Sequence, residues 1–200
     1  MKLLIDSDAF CKLGTGGLLL DALELLGVDV ASCGRLPALP HMLRRGRLPR
    51  LYGQTACDKL IEIAEAIPVI PPAEESWLDQ LTGIPDIDPG EAQLFAAAAQ
   101  YGFLVTTGDK RAMVALKNLP TFTSALKRRI VALEPLIYAL CSRLGDEETR
   151  QRLGPVAGSD KVLMICFSST NPNPRAGLLS YIKGLENDIY PLLLWEPTAG

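Results

Sequence analysis

The fold is decided by residues 88–113, which read DPGEAQLFAAAAQYGFLVTTGDKRAM. The first four letters, Asp-Pro-Gly-Glu, are typical of a helix start, with the N-cap aspartate, a proline at the first helical position and a glutamate at the third. The four alanines continue that helix until Tyr101-Gly102, where a glycine predicts its end. Phe103–Thr106 is then predicted to be a strand, and Lys110–Lys117 a second helix after a short turn. This helix–strand–helix order indicates a βα-type domain.

The same alternation extends outward from this stretch. Leu3–Ile5 and Arg129–Ala132 are predicted as buried strands, Val28–Ala31 as another, and Gly16–Gly27 as an apolar helix. Strands alternating with helices favour a mainly parallel sheet that helices cover on both faces, a three-layer α/β/α fold. From residue 134 onward the pattern becomes helical throughout. We therefore predict an α/β domain at 1–133 and a helical extension at 134–200 that packs on or beside it.

Composition excludes several classes of protein. The net charge of −3 excludes a protein that binds nucleic acid through its overall charge. A nuclease that binds nucleic acid through local basic patches is still compatible with this charge. The five cysteines contain no CxxC pair, which argues against a zinc site. No apolar run reaches the roughly 18 residues of a membrane helix, and the first residues lack the apolar segment of a signal peptide. We expect a cytoplasmic protein that does not enter a membrane.

Three carboxylates lie at positions where α/β proteins commonly have their catalytic and ligand-binding residues. Asp6 directly follows the first strand, Asp109 follows the Phe103–Thr106 strand, and Glu91 lies in the first turn of the intervening helix. Parallel sheets bind ligands beyond the carboxyl ends of their strands, so neighbouring strands would bring Asp6 and Asp109 together. Clustered carboxylates repel one another unless a cation intervenes, and Mg²⁺ or Mn²⁺ prefers such oxygen ligands. We therefore predict a divalent metal site with Asp6, Glu91 and Asp109 as catalytic ligands and Asp8 as a further ligand.

These residues carry a family resemblance. The start Ile5-Asp6-Ser7-Asp8, the Gly90-Glu91-Ala92 helix start and the segment Leu104–Asp109 together resemble the PIN-domain ribonucleases over roughly residues 1–132. The resemblance implies a parallel α/β/α fold and hydrolysis of RNA phosphodiester bonds that depends on Mg²⁺ or Mn²⁺. It also implies that the Thr107 hydroxyl helps to place a phosphate or Asp109. Because many bacterial members are toxins of toxin–antitoxin pairs, it further implies a protein partner such as an antitoxin, and a homodimer.

Basic side chains near the predicted site are candidates for RNA contacts. Lys110 and Arg111 follow Asp109 directly and would flank the acidic pocket. Arg44 and Arg45 begin a local basic cluster that continues with Arg47 and Arg50. The guanidinium group binds phosphate oxygens through two parallel hydrogen bonds, so the sequence predicts substrate binding at these positions.

Two other functions remain open at this point. Asp6-Ser7-Asp8 also resembles the Asp-x-Asp start of haloacid-dehalogenase-type phosphatases, in which Asp6 would be the nucleophile and Asp8 the general acid. Alternatively, the chain is a PIN-like scaffold that binds RNA or protein without cutting, with residues 134–200 as its interaction module.

Overall fold

The computed structural model describes residues 1–197. In chain order its elements are β1 (Leu3–Ile5), α1 (Ser7–Thr15), α2 (Leu19–Leu25), a 3₁₀-helix (Val30–Ser32), β2 (Cys33–Arg35), α3 (Leu39–Arg44), α4 (Arg47–Tyr52), α5 (Gln54–Ala66), α6 (Glu75–Asp79), α7 (Pro89–Tyr101), β3 (Leu104–Thr107), α8 (Lys110–Leu116), α9 (Pro120–Ala125), β4 (Ile130–Ala132), α10 (Leu133–Leu144), α11 (Asp146–Ala157), α12 (Lys161–Cys166) and α13 (Pro174–Ile189).

The four strands form one parallel sheet in the order β2-β1-β3-β4. β1 is hydrogen-bonded to β2 on one side and to β3 on the other, with Ile5 opposite Thr106. An isolated parallel bridge extends each edge, from Arg35 to Val69 beyond β2 and from Ile130 to Leu194 beyond β4. Because every pair is parallel, all carboxyl ends of the strands lie at one edge, called here the carboxyl edge.

Helices cover both faces of this sheet. Successive strand side chains point to opposite faces, and Leu3 and Ile5 accordingly belong to one hydrophobic cluster while Leu4 belongs to the other. The first core contains residues of α1, α2, α3, α5 and α10, and the second core contains residues of α7, α8 and α9. The predicted three-layer α/β/α architecture is confirmed.

The C-terminal helices contribute to both cores. Leu153, Leu163 and Leu178 belong to the first core, together with Leu3 of the central strand. Leu185, at the end of α13, belongs to the second core. The C-terminal helices therefore pack on the α/β layers. The domain boundary at residue 133 stays a prediction.

The helix start that opened the sequence argument forms as predicted. The Asp88 Oδ1 accepts the Glu91 N–H at 2.8 Å, and the Glu91 Oε2 accepts the Asp88 N–H at 2.9 Å, which together make a capping box. The helix ends at Gly102, whose φ of +70° is a left-handed conformation that a residue without a Cβ adopts without strain. The strand Leu104–Thr107 follows.

Two local predictions differ from the structure. The predicted strand at Val28–Ala31 is wrong: the Asp29 carboxylate accepts the Ser32 N–H at 2.6 Å and closes a 3₁₀ turn, so the strand begins at Cys33. The segment after Asp6 forms the helix α1, and the apolar helix predicted from Gly16 begins only at Leu19.

Within residues 1–197, the structure contains no helix that combines the length and the apolar character needed to cross a membrane.

Candidate site at the carboxyl edge of the sheet

The carboxyl edge collects acidic residues from three strands. Asp6 follows β1, Asp109 follows β3 and Glu134 lies in the first turn of α10, directly after β4. Since β1, β3 and β4 are adjacent and parallel, these residues lie side by side at one edge of the sheet. The strands that precede Asp6 and Asp109 are therefore adjacent, which is the arrangement that would bring the two aspartates together.

Asp6 is fixed by the helix that follows it. Its Oδ2 accepts the Asp8 N–H at 3.1 Å and the Ala9 N–H at 3.3 Å, so Asp6 is the N-cap of α1. Its own N–H donates to the Thr106 Oγ at 3.3 Å, which joins it to β3. Burial, with a smaller contribution from the charge of Asp8, raises the pKa of Asp6 to about 6. The carboxylate is thus held in place in an environment that penalises its uncompensated charge.

Asp109 is fixed in the same way at the next strand. Its Oδ1 accepts the Arg111 N–H at 2.7 Å and the Ala112 N–H at 3.2 Å, which makes it the N-cap of α8. The Thr107 Oγ accepts the Asp109 N–H at 3.1 Å, and Thr107 itself is 2% exposed. Thr107 therefore shapes the turn that presents Asp109, which is one of the two roles that the sequence suggested for it.

Glu91 is electrostatically linked to both aspartates. Burial raises the pKa of Glu91 to about 7, and the negative charges of Asp88, Asp109 and Asp6 act in the same direction. Its Oε2 accepts the Asp88 N–H of the capping box, which leaves the second oxygen outside that box. The structure thus places Asp6 and Asp109 close enough to Glu91 for both of their charges to disfavour the ionised form of Glu91.

Asp8 belongs to a different set of contacts. Its Oδ1 accepts a hydrogen bond from the Tyr52 hydroxyl at 2.7 Å, and its Oδ2 lies 2.7 Å from the Lys12 Nζ. The same ammonium lies 2.6 Å from the Asp160 Oδ2. Both oxygens of Asp8 therefore have protein partners, and its role as a metal ligand stays a prediction.

The predicted substrate-binding cations have different environments. Lys110 pairs with Asp188, while Arg111 pairs with Asp109 at 3.3 Å and lies 3.8 Å from Asp86. Arg44 pairs with Glu65 on the outer surface. Arg45 ends α3 as an exposed side chain and forms no ion pair among the residues that the structure describes. Lys110 and Arg111 lie beside the acids, but their charges are already partly compensated.

Several residues of this edge were not singled out by the sequence. Glu134 is 3% exposed and Lys12 is 6% exposed, which is rare for charged side chains without compensating partners. Packing brings Lys12 to Asp160 across 148 positions of the chain, and Tyr52 to Asp8 across 44 positions. The single sequence signal was that Glu134 stands two residues after the end of a predicted strand, close to the position that Asp6 has after its own.

The donor chemistry of this edge suits a hard divalent cation. Carboxylate oxygens are its preferred ligands. Burial is the main cause of the raised pKa values of Asp6 and Glu91, and a bound cation would offset this penalty on their charged forms. The buried Ser7 hydroxyl has no hydrogen-bond partner in residues 1–197 and stands directly after Asp6. Nevertheless, among those described residues no three His, Cys, Asp or Glu side chains are arranged closely enough to hold a metal ion. The side chains would therefore have to draw together around an ion.

Glu134→Gln is expected to raise the free energy of unfolding by roughly 2 kcal/mol at pH 8 and to change it little at pH 5. Burial raises the pKa of Glu134 from 4.5 to about 7; Asp160 raises it further, whereas Lys12 and Lys110 oppose the shift. The folded state therefore keeps a proton that the unfolded chain releases as the pH rises from about 4.5. Stability decreases through this window, and above pH 7 the buried charge imposes its full cost.

Urea denaturation at pH 5 and pH 8 measures this difference, with Glu62→Gln, an exposed glutamate of α5, as the matched control. An equal effect of Glu134→Gln at both pH values would show that the buried charge is not the cause.

No protein-family model matches the chain, and neither a curated protein nor a solved structure matches it significantly. The function is therefore inferred from the residues of the carboxyl edge.

Proposed function

We propose that this chain is a divalent-metal-dependent endoribonuclease of the PIN type. The observation that carries the proposal is the convergence of three acids: Asp6 and Asp109 follow paired neighbouring strands, and both charges act on the buried Glu91. Such a concentration of carboxylates around the buried Glu91 is unfavourable for the folded protein by itself, but it becomes favourable when a cation binds. The resemblance of these segments to PIN-domain ribonucleases gives the same assignment.

The three acids have distinct supports in this proposal. Asp6 and Asp109 present carboxylates from the starts of α1 and α8, and Glu91 presents its own from the start of α7. Thr107 holds the turn of Asp109. A Mg²⁺ or Mn²⁺ ion bound there would polarise a phosphodiester and lower the pKa of a coordinated water.

The arginines of α4 supply a surface for the RNA backbone. Leu48 and Tyr52 lie one turn apart and are buried, which leaves Arg47 and Arg50 on the exposed side of this short helix. Tyr52 donates to Asp8, so the basic helix adjoins the acidic edge. Neither Arg47 nor Arg50 forms an ion pair within the described part of the chain, and both are therefore available to phosphates.

The double variant Arg47→Ser/Arg50→Ser is expected to weaken binding of a single-stranded RNA roughly tenfold, because two phosphate contacts are lost. The slope of log affinity against log salt should decrease by about 1.4. Fluorescence anisotropy with a labelled RNA in the presence of a chelator measures both quantities without cleavage. The matched control is Lys2→Ser/Lys127→Ser, which removes two exposed cations at the opposite edge of the sheet. Equal losses in the two double variants would indicate only an overall charge effect.

The catalytic proposal is tested by incubating a labelled RNA with the protein and Mn²⁺ or Mg²⁺, with and without a chelator. Cleavage that requires the ion and stops with the chelator supports the proposal. RNA binding without cleavage under any of these conditions would support the non-catalytic scaffold instead. The phosphatase alternative has less support, because both oxygens of Asp8, its general acid, are engaged by Tyr52 and Lys12.

A further inference from the structure

A buried lysine stands among the acids of the carboxyl edge. Lys12, on α1, is 6% exposed, and its Nζ lies 2.7 Å from the Asp8 Oδ2 and 2.6 Å from the Asp160 Oδ2. Burial alone would lower the pKa of Lys12, but the charge of Asp8 and the hydrogen bond to Asp160 outweigh it and raise this pKa. The side chain is therefore a permanent cation at neutral pH.

This ammonium adjoins the proposed metal ligands. Asp8, which it contacts, is two residues after Asp6. On the other side, a Cβ placed on Gly108 would lie 3.9 Å from the Lys12 Nζ, and Gly108 directly precedes Asp109. Lys12 thus contributes its charge between the segments that carry Asp6 and Asp109.

Every oxygen of the two carboxylates that hold Lys12 already has a partner within the protein. The Asp8 Oδ1 accepts from the Tyr52 hydroxyl, and the Asp160 Oδ1 accepts the Val162 and Leu163 N–H groups at 2.9 and 3.1 Å. The remaining oxygen of each points to the ammonium. A pair of carboxylate oxygens can also hold a divalent ion whose remaining ligands are waters, and here the lysine occupies that position.

We propose that the Lys12 ammonium is a built-in cation that takes the place of a second divalent ion between Asp8 and Asp160. The inference rests on the proposed function only for the first ion, which would bind on the Asp6, Glu91 and Asp109 side. Lys12 is accordingly a positioning residue: it fixes Asp8 next to Asp6, and through Asp160 it attaches the C-terminal helices to the site.

The test counts bound Mn²⁺ by electron paramagnetic resonance and calorimetry in the full chain. Lys12→Met, which keeps the length of the side chain but removes its charge, is expected to bind one equivalent of Mn²⁺ more than the wild type. Without Mn²⁺ its thermal midpoint should fall by roughly 10 °C, because the largely buried Asp160 and the half-exposed Asp8 lose their cation, and Mn²⁺ should restore much of this loss. Lys12→Arg keeps the charge and should show no additional equivalent.

Two further variants decide the outcome. In Lys12→Met/Asp160→Asn the additional equivalent should disappear, since one of its ligands is gone. Should Lys12→Met fail to fold, Asp160→Asn alone remains informative: it should bind as many Mn²⁺ ions as the wild type, and a loss of one equivalent would overturn the inference. An unchanged count in folded Lys12→Met would overturn it as well. RNA cleavage by the wild type is scored separately, so an additional Mn²⁺ equivalent in Lys12→Met together with no cleavage by the wild type would reject the nuclease proposal and leave the role of Lys12 standing.

Discussion

Asp6→Asn is expected to reduce metal-dependent RNA cleavage by about 100-fold or more, because a metal ion contributes several kcal/mol of stabilisation to a transition state. Asparagine presents a neutral amide in place of one of the proposed anionic ligands. The N-cap hydrogen bonds from Asp8 and Ala9 survive, since asparagine caps helices as well as aspartate does. The variant therefore separates the charge of Asp6 from its structural role.

The matched control is Asp29→Asn. Asp29 also accepts a backbone N–H, that of Ser32 at 2.6 Å, but it is exposed and precedes β2, at the edge of the sheet opposite the site. Its replacement should leave cleavage within a factor of about two, since exposed substitutions away from a site have small effects. Initial rates at saturating Mn²⁺, with circular dichroism to verify folding, measure both variants. Equal cleavage by wild type and Asp6→Asn, resistant to chelator, would refute the nuclease assignment.

Leu178→Ala is expected to lower the free energy of unfolding by about 2–5 kcal/mol, the usual cost of emptying a closely packed leucine site. Leu178 lies on α13, is fully buried, and belongs to the first core together with Leu3 and Ile5 of the central strand. Its neighbour Leu179 is 38% exposed. Leu179→Ala should therefore cost less than about 1 kcal/mol, because little apolar surface is lost from the interior.

This pair of variants also tests the predicted division at residue 133. If the C-terminal helices and the α/β layers unfold as one unit, Leu178→Ala should shift a single transition seen by both far-ultraviolet dichroism and the exchange of β1 amides. A transition that splits in two, with the β1 amides unaffected, would instead establish an independent helical domain at 134–200.

The parts of the fold that the sequence predicted are those with local causes. The Asp88 and Glu91 capping box, the stop at Gly102 and the strand after it depend on residues within a few positions of one another. The strand predicted at Val28–Ala31 is wrong. Val28 and Val30 favour a strand, but the Asp29 side chain closes a 3₁₀ turn there. The helix α1 was not predicted. Asp6, predicted as a metal ligand, is also the N-cap of this helix.

By itself, the sequence determined the α/β class and the position of Asp6, Glu91 and Asp109 at the ends of elements, because hydrophobic period and capping are short-range properties. Only the tertiary structure decided that β1 lies beside β3, that Glu134 joins the same edge, and that Lys12 bridges Asp8 to Asp160, 148 positions away. Such contacts depend on which elements pack together. A buried lysine is stable only where carboxylates compensate its charge; Asp8 does so from the same helix, and only packing brings in Asp160.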